Sequence, residues 1–250
     1  EASLRRMGHY DFWSDKIRRS VLLDSKADLL VYGMGETQVR EIARRLAAGE
    51  RAKDIDDIPG TAYRRSSVPE GEPGIDYLLL PEFDEISKEK KSYAESFIIQ
   101  YKQNDGVRGR RLVEPNGSQY VIQNPPAAPP EQAELDRVYE LPYQRLAHPA
   151  YKKHGGVPAI QEVQFSLTSS RGCFGDCSFC ALAFHQGRRV YSRSHESLES
   201  EAKALIDMDD FKGHIHDVGG PSANFRTPSC TKQLTKGLCE DKQCLYPGPC

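Results

Sequence analysis

All seven cysteines of this 250-residue chain lie beyond position 172, and three of them, Cys173, Cys177 and Cys180, fall within eight residues. What flanks that trio constrains the fold more than any other feature. Upstream, Val163, Phe165 and Leu167 alternate with Gln164, Ser166 and Thr168, the pattern of a strand with one buried face. Downstream, Ser194 occupies an N-cap position with Glu196 in the first turn, and Leu198, Ala202, Leu205 and Ile206 make one apolar helical stripe. Residues 213–218 predict the next strand, closed by Gly219-Gly220-Pro221. Strand, loop, helix and strand form one βαβ unit, with the cysteines at a strand's C-terminal end, where parallel α/β folds build their sites. The expected class is α/β.

The earlier part of the chain points the same way. Ala27 to Tyr32 is a short apolar run, Gly33-Met34-Gly35-Glu36 a turn, and Val39, Ile42, Ala43 and Leu46 recur at helical spacing until Gly49. This predicts a parallel strand–turn–helix unit. Its Gly-x-Gly reads as a structural turn, because the rest of the dinucleotide fingerprint is missing. Pro69 to Gly74 predicts a loop, Lys88 to Lys91 a solvated face, and Tyr93 to Tyr101 an amphipathic helix. Arg108 to Arg111 reads as a solvated turn rather than a phosphate contact. Leu112 to Ile122 predicts a hairpin around Asn116-Gly117. Asn124 to Pro130 holds four prolines and must be extended.

Composition narrows the class of partner. Lys plus Arg is 34 against 36 for Asp plus Glu, so a net charge of −2 supplies no general attraction for nucleic acid, although a local patch could still bind it. No window approaches the roughly 18 apolar residues of a membrane span. The opening Glu1-Ala-Ser-Leu-Arg-Arg6 lacks the apolar stretch of a signal peptide, so no membrane association and a cytoplasmic location are expected. Beginning at Glu1 and ending at Cys250 inside a cysteine-dense stretch, the chain reads as a piece of a longer protein. Clustered thiols without a secretion signal point to a metal or redox cofactor rather than a disulfide framework.

The trio has the spacing C-x3-C-x2-C. A structural zinc site is closed by four ligands, and an electron-transfer cluster is normally held by four cysteines at other spacings. Three thiolates around a cubane cluster leave one iron open. With Phe179 directly before the third cysteine, this loop resembles that of the radical S-adenosylmethionine superfamily. The resemblance implies a 4Fe–4S cluster on Cys173, Cys177 and Cys180 whose open iron chelates the amino and carboxylate groups of S-adenosylmethionine. It implies reductive cleavage of the sulfonium bond to a 5′-deoxyadenosyl radical, hydrogen abstraction from a substrate, and an electron donor such as flavodoxin or ferredoxin. By the same likeness Phe179 sits beside adenine, and Gly219 and Gly220 approach the methionine amino group. The superfamily often has Glu where this chain has Pro221.

Longer stretches narrow the likeness: Glu1-Ala-Ser-Leu-Arg-Arg6, Pro125-Pro126, Leu141-Pro-Tyr143, Arg171 to Leu182 and His185-Gln-Gly-Arg188 resemble the YgiQ-type branch of the superfamily. That likeness implies the end of a Rossmann-like, cobalamin-binding-like domain over 1–64 and a connecting segment over 65–158. Residues 159–250 would be the first βα units of a partial (βα)6 radical barrel with a Cys-rich insertion. The cobalt-ligating histidine motif is missing, so bound cobalamin is not expected. The isolated piece is expected to hold some iron without turning over. Substrate and catalytic residues are not implied.

Cys230, Cys239, Cys244 and Cys250, spaced C-x8-C-x4-C-x5-C, suit a second metal, either zinc or an auxiliary iron–sulfur cluster, or else remain reduced surface thiols. Asp241-Lys242 and Tyr246-Pro247-Gly248-Pro249 would supply the turns. His185, with Gln186, Arg188 and Arg189, is a candidate for holding the cofactor or an anionic substrate, whereas His214 and His216 read as plain strand histidines. The competing function is a non-catalytic zinc or iron–sulfur module with a structural or redox-sensing role.

Overall fold

The computed structural model describes residues 2–221, 223–240 and 242–250, so Glu1 of the opening motif and Asp241 of the predicted turn lie outside the described residues. The architecture is mixed α/β. A small antiparallel hairpin, β1 (His9–Asp11) with β2 (Lys16–Arg18), comes first. The main sheet then takes β3 (Leu29–Val31), β4 (Thr61–Arg65), β5 (Tyr77–Leu79), β6 (Arg111–Asn116) and β7 (Gln119–Gln123), in the order β3-β4-β7-β6-β5. Two short pairs follow. β8 (Ser166–Thr168) lies parallel to β11 (Asp217–Gly219), and β9 (Ser170–Arg171) lies antiparallel to β10 (Tyr191–Ser192).

The main sheet is mixed, and three of its four pairings are antiparallel; only β5 and β6 run parallel. The predicted strand–turn–helix is present as β3 followed by the helix Glu36–Ala47, but β3 pairs antiparallel with β4, which corrects the parallel unit expected from the local pattern. Local periodicity fixes the elements and not the direction of a partner 30 residues away. The helix also leaves Val39, Ala43 and Leu46 exposed, because no described element covers that face; its buried residue is Gln38. The sheet runs without a break from Leu29 to Gln123, and β4 spans the 64/65 boundary drawn from the sequence. The predicted hairpin forms with Asn116 opposite Gln119, so Gly117, at φ 62°, takes the left-handed turn position that suits glycine.

Alternation along the strands gives the sheet two apolar faces. Leu30, Ala62, Leu112 and Val121 pack with Met7, Leu22, Leu23, Tyr32 and Leu80 on one face. Tyr63, Tyr77, Val113 and Ile122 pack on the other. The N-terminal segment is tied to this sheet by buried polar groups. Arg6 donates from Nε to Gln123 Oε1 at 2.6 Å and lies 4.6 Å over the Tyr32 ring. Glu114, fully buried in β6, accepts the Gly8 N–H at 3.1 and 2.9 Å and the Asn116 side-chain amide at 3.0 Å.

Burial raises the Glu114 carboxyl to about 7, against the opposing pull of Asn116 and Gly8. The native state therefore keeps a proton that the unfolded chain has released above about 4.5. Stability from this group is fully present below that pH and is lost as pH rises through about 7. The interval is worth about 3 kcal/mol at roughly 1.4 kcal/mol per pKa unit. Glu114→Gln should flatten this fall in urea-unfolding free energy; a variant that kept the wild-type slope would show that the carboxyl is not responsible.

The C-terminal part is built as the βαβ pattern predicts, with shorter strands. Ser194 caps the helix His195–Ile206, its side chain accepting from Ser197 N–H, a contact worth about 1 kcal/mol. Leu198, Ala202 and Leu205 pack on Phe165 and Leu167, whereas Ile206 is exposed. The strand expected from Val163 begins only at Ser166. Val163 closes the helix Ile160–Val163, because β11 offers partners only from Ser166 to Thr168. Similarly His214 and His216 precede β11 rather than lying in it. Among the described residues no helix is long and apolar enough to cross a membrane.

Candidate functional site

The cysteine loop leaves the end of β8 and is closed at its neck by the two-residue ladder Arg171↔Tyr191 and Ser170↔Ser192. Just inside that neck, Gly172 adopts φ 82°, and a Cβ there would run into the carbonyl group of Arg189. Its N–H donates to Gln186 Oε1 at 2.9 Å, and the Cys173 N–H donates to the Gly187 carbonyl at 3.2 Å. Further in, Cys180 N–H returns to the Cys177 carbonyl at 2.9 Å, making a tight turn between the second and third cysteines. Of His185, Gln186, Arg188 and Arg189, the candidates for holding a cofactor or an anionic substrate, Gln186 and Arg188 also brace the loop in this structure.

Asp176 is the loop's second anchor. It sits at φ 50°, its carboxylate accepts from the Tyr101 hydroxyl, and Arg188 Nη1 lies 3.3 Å away. Arg188 also donates to the Tyr101 oxygen at 3.0 Å and lies 4.6 Å over the tyrosine ring. Burial, and then the bond to Asp176, raises the Tyr101 phenol, so it stays protonated and a donor. Phe184, on the short helix Leu182–His185 beyond the loop, packs against Phe97 and Tyr101 at 5.7 and 6.2 Å. The helix Lys90–Lys102, to which Phe97 and Tyr101 belong, therefore carries one wall of the cysteine loop.

Two of the three thiols converge on Gly175. A side chain there would lie 3.2 Å from Cys173 Sγ and 3.7 Å from Cys177 Sγ, so glycine leaves room between the sulfurs. Phe174 stacks on Phe225 at 3.8 Å, whereas Phe179 is 91% exposed. Among the described residues no three Cys, His, Asp or Glu side chains already stand together as a metal ligand set.

Gly219 and Gly220 end the second strand of the βαβ unit. The Gly219 carbonyl accepts from Ser169 N–H at 2.7 Å, and Gly220 N–H donates to Asn224 Oδ1 at 3.1 Å. A Cβ on Gly220 would collide with Ser170 Oγ. The glycine pair borders a cleft of about 800 Å³ that is also lined by Ser170, Leu182 and Gln186, residues that bracket the cysteine loop. Across the cleft Arg145 pairs with Glu201, which also pairs with the buried Arg193. Arg193 donates to the Thr168 carbonyl at 3.1 Å and so fixes the end of β8.

The second cysteine set lies apart from this cleft, on a segment that docks on residues 104–108. Leu238 N–H donates to Asp105 at 2.8 Å, and Arg108 binds the Leu238 carbonyl and, at 2.9 Å, Glu240. Arg108 thus holds the cysteine-rich segment instead of lying in a solvated turn. Sequence reasoning missed Tyr101, Asp105 and Arg108 as supports, since each meets its partner 75 residues or more away. His214 and His216 lie with their rings 5.3 Å apart, outside the cleft lining.

The family described as Radical SAM N-terminal matches residues 1–166. A UPF0313 protein of Clostridium perfringens is 55% identical over 250 residues, which is 100% of this chain and 38% of that protein. A UPF0313 protein of Clostridium botulinum is 51% identical over 250 residues, 100% of this chain and 39% of its own length. The chain thus spans under two fifths of the length of these curated relatives. No solved structure matches it.

Proposed function

The chain belongs to the Radical SAM N-terminal family, and from that membership we propose that it carries the cluster loop of a radical S-adenosylmethionine enzyme. Cys173, Cys177 and Cys180 would hold a 4Fe–4S cluster, and Gly219 and Gly220 would receive the amino end of S-adenosylmethionine, with Phe179 toward its adenine. The observation that carries this reading is a juxtaposition: residues bracketing the cysteine loop and the glycine pair line one cleft at the C-terminal end of β8. The donor set fits the group, since three thiols are supplied and Gly175 keeps the space between two of them clear. When bound, the cluster and its ligand supply one-electron cleavage of a sulfonium bond for hydrogen abstraction, the electron coming from an external donor such as flavodoxin or ferredoxin.

The protein's part is to orient. Asp176, Tyr101 and Arg188 hold the loop between the first two cysteines, and Gln186 and Gly187 hold its base. Gly220 stays small so that its backbone can sit against Ser170. β8, the helix His195–Ile206 and β11 would open a (βα)6 barrel over 159–250, with the substrate's cleft on its inner side. Residues 1–64 would be the end of the family's Rossmann-like domain and 65–158 a connecting segment, with strands from both ranges sharing one mainly antiparallel sheet.

Anaerobic reconstitution with iron and sulfide should give a brown protein whose reduced electron paramagnetic resonance spectrum shifts when S-adenosylmethionine is added. A colourless protein that takes up only zinc, or a cluster blind to S-adenosylmethionine, would defeat the reading and favour a structural metal module.

A further inference from the structure

We propose that Cys230, Cys239, Cys244 and Cys250 bind a zinc ion in a closed four-thiolate site distinct from the loop at 173–180. This goes beyond the radical reading and does not depend on it. The physical starting point is a shortage of core. Among the described residues from 223 to 250, only Gln233, Gly237 and Leu238 are buried, and the one helix, Lys232–Lys236, has five residues. A segment with so little apolar burial gains its order from elsewhere, and a metal held by four thiolates is a common source in small, loop-rich units.

The contacts that order this segment centre on Cys244. Its sulfur lies 3.0 Å from the Ser229 hydroxyl and accepts from Gln233 Nε2 at 3.4 Å. Ser229 directly precedes Cys230, and Gln233 N–H bonds the Cys230 carbonyl at 3.3 Å, so Cys230 lies in the turn whose flanking residues contact Cys244. From the other side the Cys250 N–H donates to the Cys244 carbonyl at 2.8 Å, folding residues 244–250 back on themselves. Cys239 follows the left-handed Gly237 and Leu238, which Asp105 and Arg108 clamp in place.

Two further points distinguish this from a chance grouping of thiols. A hydroxyl and an amide converge on one sulfur, the arrangement that supports a metal-bound thiolate from outside its ligand shell. Gln233, which supplies the amide, is only 3% exposed, yet its Oε1 has no hydrogen-bond partner. All four cysteines are unpaired, and Cys230 and Cys250 are exposed, so their side chains are free to turn toward a metal. Four thiolates complete a tetrahedral shell and leave no place for an outside ligand, which suits an ion without redox chemistry.

The test compares metal content in the protein carrying this whole chain and in two variants. One is Cys244→Ser; the other replaces Cys173, Cys177 and Cys180 together by serine. Expected is about one zinc per protein in the parent and in the triple variant, with at least a tenfold loss in Cys244→Ser. Cobalt put in place of zinc should give thiolate-to-metal absorption bands in the triple variant. Should Cys244→Ser fail to fold, the triple variant still decides: of the seven cysteines within these 250 residues four remain, and zinc should shield those four, followed on their own peptides, from alkylation until a chelator is added. Zinc lost with the triple substitution, thiols that alkylate equally fast with and without chelator, or iron and sulfide in zinc's place at these four residues would each overturn the proposal.

Discussion

Replacing Cys177 by alanine is expected to remove at least nine-tenths of the iron and sulfide that the protein takes up on anaerobic reconstitution, roughly a tenfold loss. The reason is stoichiometric. A loop with three thiolates has no ligand to spare, and each substitution leaves a cluster with two protein ligands in an open, solvated loop. Cys177 is the sharpest case, because its sulfur shares the space over Gly175 with that of Cys173. Alanine at Ser178, one residue on, removes a side chain of similar size and should leave metal uptake unchanged. Iron and sulfide analysis with the visible absorption spectrum makes the comparison. A Cys177→Ala protein that reconstitutes as fully as the Ser178→Ala control would remove the loop from consideration as the cluster site.

Gly172→Ala is expected to have nearly as large an effect without touching a ligand. The residue sits at φ 82°, where a side chain is strained by about 1 kcal/mol or more. Its Cβ would in addition press on the Arg189 carbonyl, with the carbonyl carbon only 2.8 Å away. Both atoms are backbone, so no rotamer change relieves the clash. Relief requires opening the β9–β10 neck, which breaks the Gly172–Gln186 and Cys173–Gly187 hydrogen bonds. Together these costs come to about 3 kcal/mol. The expected outcome is a lower unfolding midpoint and a severalfold loss of iron uptake, with the far-ultraviolet circular dichroism largely kept because the main sheet is remote. Wild-type melting and wild-type iron content in this variant would mean that the neck does not set the loop.

The local signals in the sequence were good guides to the elements and poor guides to how they pair. The alternation at Phe165 and Leu167, the Ser194 cap and the stripe Leu198, Ala202 and Leu205 led to a βαβ unit that is present, with β8 and β11 parallel. Asn116-Gly117 marked a real hairpin. These features are encoded by neighbours in the chain. The antiparallel partnership of β3 and β4 is not, since it depends on an edge supplied 30 residues later. Nor was the exposed side of the helix Glu36–Ala47 visible, because an apolar stripe states a preference for cover without saying whether cover is present.

The candidate site divides along the same line. Cysteine spacing and the paired glycines are contiguous motifs, and both could be read directly. What steadies them could not. Asp176 lies between two cysteines and reads as a turn residue, and only the folded chain brings Tyr101 to it from 75 residues away. Gln186 and Arg188 were read from charge and polarity as ligand-binding candidates, and the folded chain adds a bracing role, the first on Gly172 and the second on Asp176 and Tyr101.

The Tyr101 hydroxyl has a consequence for anyone who would transplant this site. It donates to Asp176, receives Arg188, and also receives Gln243 Nε2 at 3.1 Å from between two cysteines of the distal set. One oxygen atom on a helix of the sheet-bearing half is thus the keystone for both thiol-rich stretches. A chimera that lifted residues 159–250 onto a foreign scaffold would bring every sulfur and both glycines along and still leave the keystone behind.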